Sequence, residues 1–390
     1  SLSDDANERQ QFIAAAEHCH AHNVRFPNSL DEVQMLQSLG DSAFARYLLG
    51  CFWYSKRRYD EAVSCWRETL EKSPDYAPAH RLLGVYSWNK QQDATQALAY
   101  LQRAVALEPD NARFLFELDF LQKLLARPVH ERLTTLVERK AVVLKRDDLT
   151  AELLSLWNAS GHYADAAAIL DTRVFHPWEG GEGKITGQYL LNQLHRALQF
   201  IERGAFKQAT DCLKAALRYP DNLGEGRLPG QTDNDIWYLL GYCAEQAGDA
   251  QQAAEYYQLA RQGGSTRDAG RYYNDQPADY LFWQGIALRK SGNPAQAEQH
   301  FRHFIDWAAQ HRDDVPQVDF FAVSLPDLVV LDVSAQQRHQ QHCLFIEALG
   351  HLGLGNVSAC QQRMQQLLQI NPAHDKAHLI RHALQSGIFS

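Results

Sequence analysis

Two short stretches concentrate the residues best suited to chemistry. His176–Lys184 reads HPWEGGEGK and Asn222–Gln231 reads NLGEGRLPGQ, so each sets a Gly-Glu-Gly turn next to a cation. Glu179, Glu182 and Glu225 can accept hydrogen bonds, while Lys184 and Arg227 can pair with an anion. His176, Trp178 and Asn222 add an imidazole, an aromatic face and an amide. Further along, RYYND supplies Tyr273, Asn274 and Asp275, and DFFAVS supplies Asp319, Phe321 and Ser324. Aromatic faces beside carboxylates and an amide suit a polyhydroxylated ligand, and the cations suit an anionic group. The competing reading is that the Glu–cation pairs lock the loops together or cap helices.

Several better-known chemistries fail on particular residues. A phosphate loop needs Gly at 178 and Ser or Thr at 185, where the chain has Trp178 and Ile185. A dinucleotide fingerprint in GEGRLP meets Pro229 where its third glycine belongs. Glu182, Glu225, Asp275 and Asp319 could still converge as the two acids of a glycosidase, the enzymatic alternative. His18 and His22 share a helix face without a third ligand, and His374, His378 and His382 form an i, i+4, i+8 ladder. No catalytic residue, cofactor or metal is assigned.

The elements that position these loops are helices in pairs. ARYLLGCFWYSKRRYDEAVSCWRETLEKSP places Leu49-Gly50, Ala62, Trp66 and Pro74 at spacings repeated by Leu83-Gly84, Ala97, Leu101 and Pro109. Pro74 and Pro109 are 35 residues apart, near the 34-residue period of the tetratricopeptide pattern, which these positions resemble. The small residues predict close approach within a pair, with Trp66 and Leu101 filling the gap. Gly161, Gly204, Gly248, Gly292 and Gly355 mark further helix–helix turns. The expected fold is all-α: a tetratricopeptide-type solenoid, a right-handed superhelix of about eight antiparallel pairs over 41–384. A divergent helical segment (1–40) precedes it, and a capping helix and tail (374–390) close it.

Turn-to-turn spacings then locate the loops. The four intervals from Gly161 to Gly355 are 43, 44, 44 and 63 residues, each longer than the repeat. The excess falls between pairs, at about 174–188, 219–234, 262–277 and 311–335, so all four inserts are expected on one rim, gathered into a pocket. The same phase assigns Tyr47, Tyr54, Trp88, Tyr238, Tyr242 and Phe282 to an inner groove suited to an extended peptide.

HPWEGGEGK, NLGEGR, YYND, DFFAVSLPDL and the segment from His342-Cys343 to Gly355 together resemble one set of large bacterial tetratricopeptide proteins. The resemblance spans roughly Asp41–Leu384. It implies a helical C-terminal part separated from a β-rich N-terminal domain, genes linked to carbohydrate metabolism, and no established catalytic residues. Arg227 stands where Lys is expected, keeping charge but not geometry. The chain also opens without Met, as expected of a piece of a longer protein.

Bulk properties narrow the partners. A net charge of −9 argues against nucleic acid, and no apolar run approaches the roughly 20 residues of a membrane span. Seven cysteines without a C-x-x-C read as small hydrophobes in a cytoplasmic protein. The expected function is a non-catalytic scaffold binding a protein or peptide, the chain's own absent N-terminal domain among the candidates, or a carbohydrate-like or anionic small ligand. The alternatives are part of a carbohydrate-active enzyme, or a peptide adaptor working through the groove.

Overall fold

A computed structural model describes residues 26–40, 42–228, 230–263, 279–316 and 330–389. Among them the chain is all-α, with nineteen helices and no strand. The described residues form two compact units: those up to Leu125 together with Val330–Asp332, and the remainder. No helix among the described residues is long and apolar enough to cross a membrane.

The first unit runs α1 (Leu30–Ser38), α2 (Ala43–Ser55), α3 (Tyr59–Lys72), α4 (Ala77–Asn89), α5 (Ala94–Leu107) and α6 (Ala112–Leu124). Side-chain caps start several of them: Ser42 accepts from Ala45 N–H, Asp93 from Gln96 N–H, and Asn111 from Arg113 and Phe114 N–H. α2 pairs with α3, and α4 with α5. Trp66 has no exposed surface and fills the first pair, its indole N–H donating to the Tyr47 carbonyl at 3.3 Å. A Cβ at Gly50 would lie 2.3 Å from that nitrogen, and one at Gly84 2.9 Å from Leu101. Both glycines are therefore required by close helix approach, as the repeat spacing predicts. Gly50→Ala should displace Trp66 and cost about 1–3 kcal/mol; an unchanged urea midpoint would refute this packing.

The second unit contains α7 (Val129–Glu138), α8 (Lys140–Val143), α9 (Asp147–Ala159), α10 (Tyr163–Leu170), α11 (Lys184–Glu202) and α12 (Phe206–Ala216). It continues through α13 (Asn234–Gln246), α14 (Ala250–Ala260), α15 (Asp279–Lys290), α16 (Pro294–His311), α17 (Ala335–Gly353), α18 (Val357–Ile370) and α19 (Asp375–Gln385). Pairs α11/α12, α13/α14, α15/α16 and α17/α18 repeat the hairpin plan around one continuous core from Leu191 to Ile388. Phe301, fully buried, fits against the bare backbones of Gly285 and Gly353.

α19 goes beyond an end cap. It packs on α18, and also on α9 and α11. It therefore runs along the side formed by the first helix of each pair, here called the inner face. Cys65, Cys212, Cys243, Cys343 and Cys360 are buried.

Candidate functional site

The first two inserts are built from their ends. Helix α10 ends with carbonyls that lack helical partners, and the Asn222 amide donates to one of them, Leu170 O, and to Arg173 O just beyond the helix, at 2.8 Å each. Asn234 does the same after α14, reaching Ala260 O at 2.7 Å and Gln262 O at 2.8 Å. Asp147 then fixes the entry to the first insert, accepting from Arg173 Nη2 at 2.6 Å and from His176 N–H at 2.9 Å. Burial acts to raise the Asp147 carboxyl, but these donors outweigh it and hold the group below its usual range.

The inserts meet directly. Phe175 N–H donates to Asn222 O at 2.8 Å, and a Cβ at Gly224 would lie 2.5 Å from Phe175 O. Glu225 turns its carboxylate onto the start of α11, accepting from Gly183 N–H at 3.1 and 3.0 Å and from Thr186 Oγ1 at 3.2 Å. A carboxylate is favoured at that positive helix end. Gly183, the N-cap, has φ 74°, and Gly181 lies under the Trp178 indole. The repeated Gly-Glu-Gly is thus explained within the fold: its glycines admit a left-handed turn and close backbone contacts, and its second copy supplies a cap. Arg227 forms an ion pair with Asp233, with the Tyr219 ring 5.8 Å away.

His176, Glu179, Glu182 and Lys184 are exposed and Trp178 is half-buried. Tyr273, Asn274, Asp275, Asp319, Phe321 and Ser324 lie outside the described residues, as do Pro229, His18 and His22. Glu225→Ala should cost about 0.5–2 kcal/mol, the usual worth of a lost cap. Chemical denaturation checks this, and an unaltered midpoint would show that the carboxylate is not used for capping.

The inner faces hold two segments of the chain itself. In the first unit Asn89, at the end of α4, engages residues 330–332 through both ends of its amide. Its Nδ2 donates to Val330 O at 2.9 Å, and its Oδ1 accepts Asp332 N–H at 2.9 Å. Trp88 Nε1 donates to Asp332 O at 2.9 Å. Leu331 between them has no exposed surface. Tyr54 is half-buried beside Tyr59 and Trp66; Tyr47 is buried, edge-on to Tyr76.

In the second unit the occupant is α19 with its tail. Asp375 accepts from Ser155 Oγ of α9 and from Gln188 Nε2 of α11, both at 2.8 Å. Lys376 Nζ sits 2.9 Å from Asp279 Oδ2 and 3.7 Å from Asp235 Oδ2. Burial alone would lower the Lys376 ammonium; the two carboxylates outweigh it and raise it. His382 Nδ1 lies 2.9 Å from His195 Nδ1, and Tyr163, His195 and His382 stack. Tyr238 donates its hydroxyl to Ile388 O at 3.2 Å, and Phe282 meets Phe389 at 5.5 Å. Tyr238 and Phe282 are buried by this tail, and Tyr242 stays half-buried. The histidine ladder is put to local use: His374 caps α19 through Ala377 N–H, and His378 Nε2 lies 2.7 Å from Pro372 O.

Sequence reasoning named Trp88 but missed Asn89, Leu331, His195 and the inward course of α19. A single amide and a leucine in a long insert carry no pattern of their own. His195, on the inner side of α11, was the one readable signal: an imidazole amid apolar positions.

Antiparallel helical hairpins, stacked within each unit, define the class: an all-α solenoid of tetratricopeptide type. The tetratricopeptide repeat family profile matches residues 53–112 and 194–270. Among solved structures, the chain is similar to PilW, a type IV pilus biogenesis factor, at 16% identity and a TM-score of 0.30, covering 56% of this chain and 92% of that one. It is also similar to Naa15/Naa10 bound to HypK-THB, at 14% and 0.41, covering 96% and 55%. A third is the apo quorum sensor NprR of B. thuringiensis, at 12% and 0.34, covering 93% and 97%.

Proposed function

We propose that the chain is a non-catalytic protein-interaction scaffold whose inner faces bind polypeptide segments. One observation carries this reading: the two-ended grip of Asn89 on the backbone of residues 330–332. An amide that donates to one residue's carbonyl and accepts the N–H two residues on holds the backbone of this bend without regard to side chains. Trp88 adds a third backbone bond, and Leu331 supplies the buried apolar anchor. Main-chain bonds thus supply affinity and an apolar pocket supplies specificity, a division of labour common in peptide recognition.

The rim-loop pocket for a small ligand receives less support, because Glu225 is engaged by Gly183 and Thr186. The same engagement removes one of the four acids, Glu182, Glu225, Asp275 and Asp319, on which the carbohydrate-active alternative could draw.

Leu331→Asp in the full chain should loosen the resident segment, since a buried unpaired carboxylate is strongly disfavoured. A labelled VVLDVS peptide should then bind the variant at least tenfold more tightly than it binds the unaltered chain. Leu331→Ser serves as a milder second variant. A folded variant that gains no affinity for the peptide would show the contact to be internal packing only.

A further inference from the structure

We infer that the inner face of the second unit is a docking surface for an amphipathic helix with a cation in its first turn, of which α19 is the resident copy. This rests on the reading that inner faces receive polypeptide, but concerns another unit, another ligand conformation and other residues.

The contacts show what such a helix must carry. Asp375 joins α9 to α11, and the next residue, Lys376, joins α13 to α15. One turn of α19 therefore reads four first helices by polar chemistry. Farther along, Ile380 and Ala383 are buried, and Phe389 closes the contact against Phe282 and Trp283. The required ligand is a helix with an acid–cation pair in its first turn, an apolar stripe, and an aromatic residue after its end.

The second observation is that α19 does not fill the cation site completely. Asp279 is 2% exposed, and its Oδ1 meets no donor among the described residues, although Oδ2 holds Lys376. An ammonium is a point charge, whereas a guanidinium presents a fork that can satisfy both oxygens of one carboxylate. The surface is therefore better matched to arginine than to the lysine that occupies it. A helix with arginine at this place should displace α19.

The test titrates three labelled peptides of residues 371–389 into the full chain: the natural sequence, one with Lys376→Arg and one with Lys376→Ala. The expected order is Arg over Lys by about tenfold, with Ala at least tenfold weaker than Lys. Carrying Lys376→Ala in the protein should increase uptake of the first two peptides, because the resident helix is weakened while its seat is intact. Asp279→Asn in the protein should abolish the preference for Arg. Should Lys376→Ala impair folding, Phe389→Ala loosens the same helix from its other end. Absence of saturable binding to any folded variant, or equal binding of all three peptides, would overturn the inference. Neither result bears on the VVLDVS titration, so the two readings fail separately.

Discussion

Acidification below about pH 6.5 is expected to release α19 while the first unit stays folded. Four histidines lie in this contact, and burial pushes each of them below its usual value: His195 on α11, and His374, His378 and His382 on or at the start of α19. Their surroundings are mixed. Lys376 and Arg381 disfavour further positive charge, while Glu202, Asp375 and Asp279 favour it; Tyr163 stacks beside His195 and His382, and Asp235 lies across from Lys376. The His195–His382 contact sets the sign most plainly. Two Nδ1 atoms 2.9 Å apart can share one proton, whereas two protons would place two N–H groups and two charges against each other.

A group whose folded pKa is depressed binds fewer protons folded than free. Its stabilisation is complete above the free value, near 6.5, and is lost as pH falls through the range below it. Each proton taken up on release is worth about 1.4 kcal/mol per pH unit. Hydrogen exchange at pH 7.5 and 5.5, corrected for intrinsic rates, should show α19 losing protection with α2–α5 unaffected. His195→Gln should flatten the response. Protection of α19 that stays constant to pH 5.5 would contradict this account of the contact.

The second large effect concerns Glu117. Its side chain is 1% exposed and takes both Arg81 Nε at 2.6 Å and Arg81 Nη2 at 2.7 Å, with Arg113 Nε at 3.0 Å. Arg81 is on α4 and Glu117 on α6, so the pair ties consecutive first helices together and sets the inner face that bears Asn89. Removing one partner of a buried pair leaves the other charge uncompensated. Glu117→Ala should therefore cost about 3–5 kcal/mol, far more than an exposed pair is worth. Arg58–Glu61, an exposed i,i+3 pair, supplies the internal comparison and should be near neutral when broken. A loss below about 1 kcal/mol for Glu117→Ala would show that water reaches Arg81.

The repeat was legible because close packing forces residue size. Only a residue without Cβ fits at Gly50 and Gly84, and that constraint recurs at a fixed spacing. The inserts were legible as lengths for the same reason. Their chemistry was legible only as a choice between ligand and lock, because a carboxylate that caps a helix is spelled like one that binds a ligand. The geometry of Glu225 weighs toward the lock. What the sequence does not display is pairing over long distances. Asn89 meets Val330 and Asp332 across more than 200 residues, and His195 meets His382 across 187. Neither pair has a periodicity, and each partner reads locally as an ordinary helix or loop residue. The resemblance to proteins with a β-rich partner domain also drew attention outward, whereas the described inner faces hold segments of the chain itself.

The proposal that inner faces, and not the insert rim, do the binding has one direct test. The affinity of the VVLDVS peptide is measured on the Leu331→Asp chain alone, with Asn89→Ala added, and with Trp178→Ala added. Loss of two backbone hydrogen bonds should weaken binding by roughly 10- to 100-fold with Asn89→Ala, while Trp178→Ala leaves it unchanged. Binding that survives Asn89→Ala and disappears with Trp178→Ala would move the site to the rim.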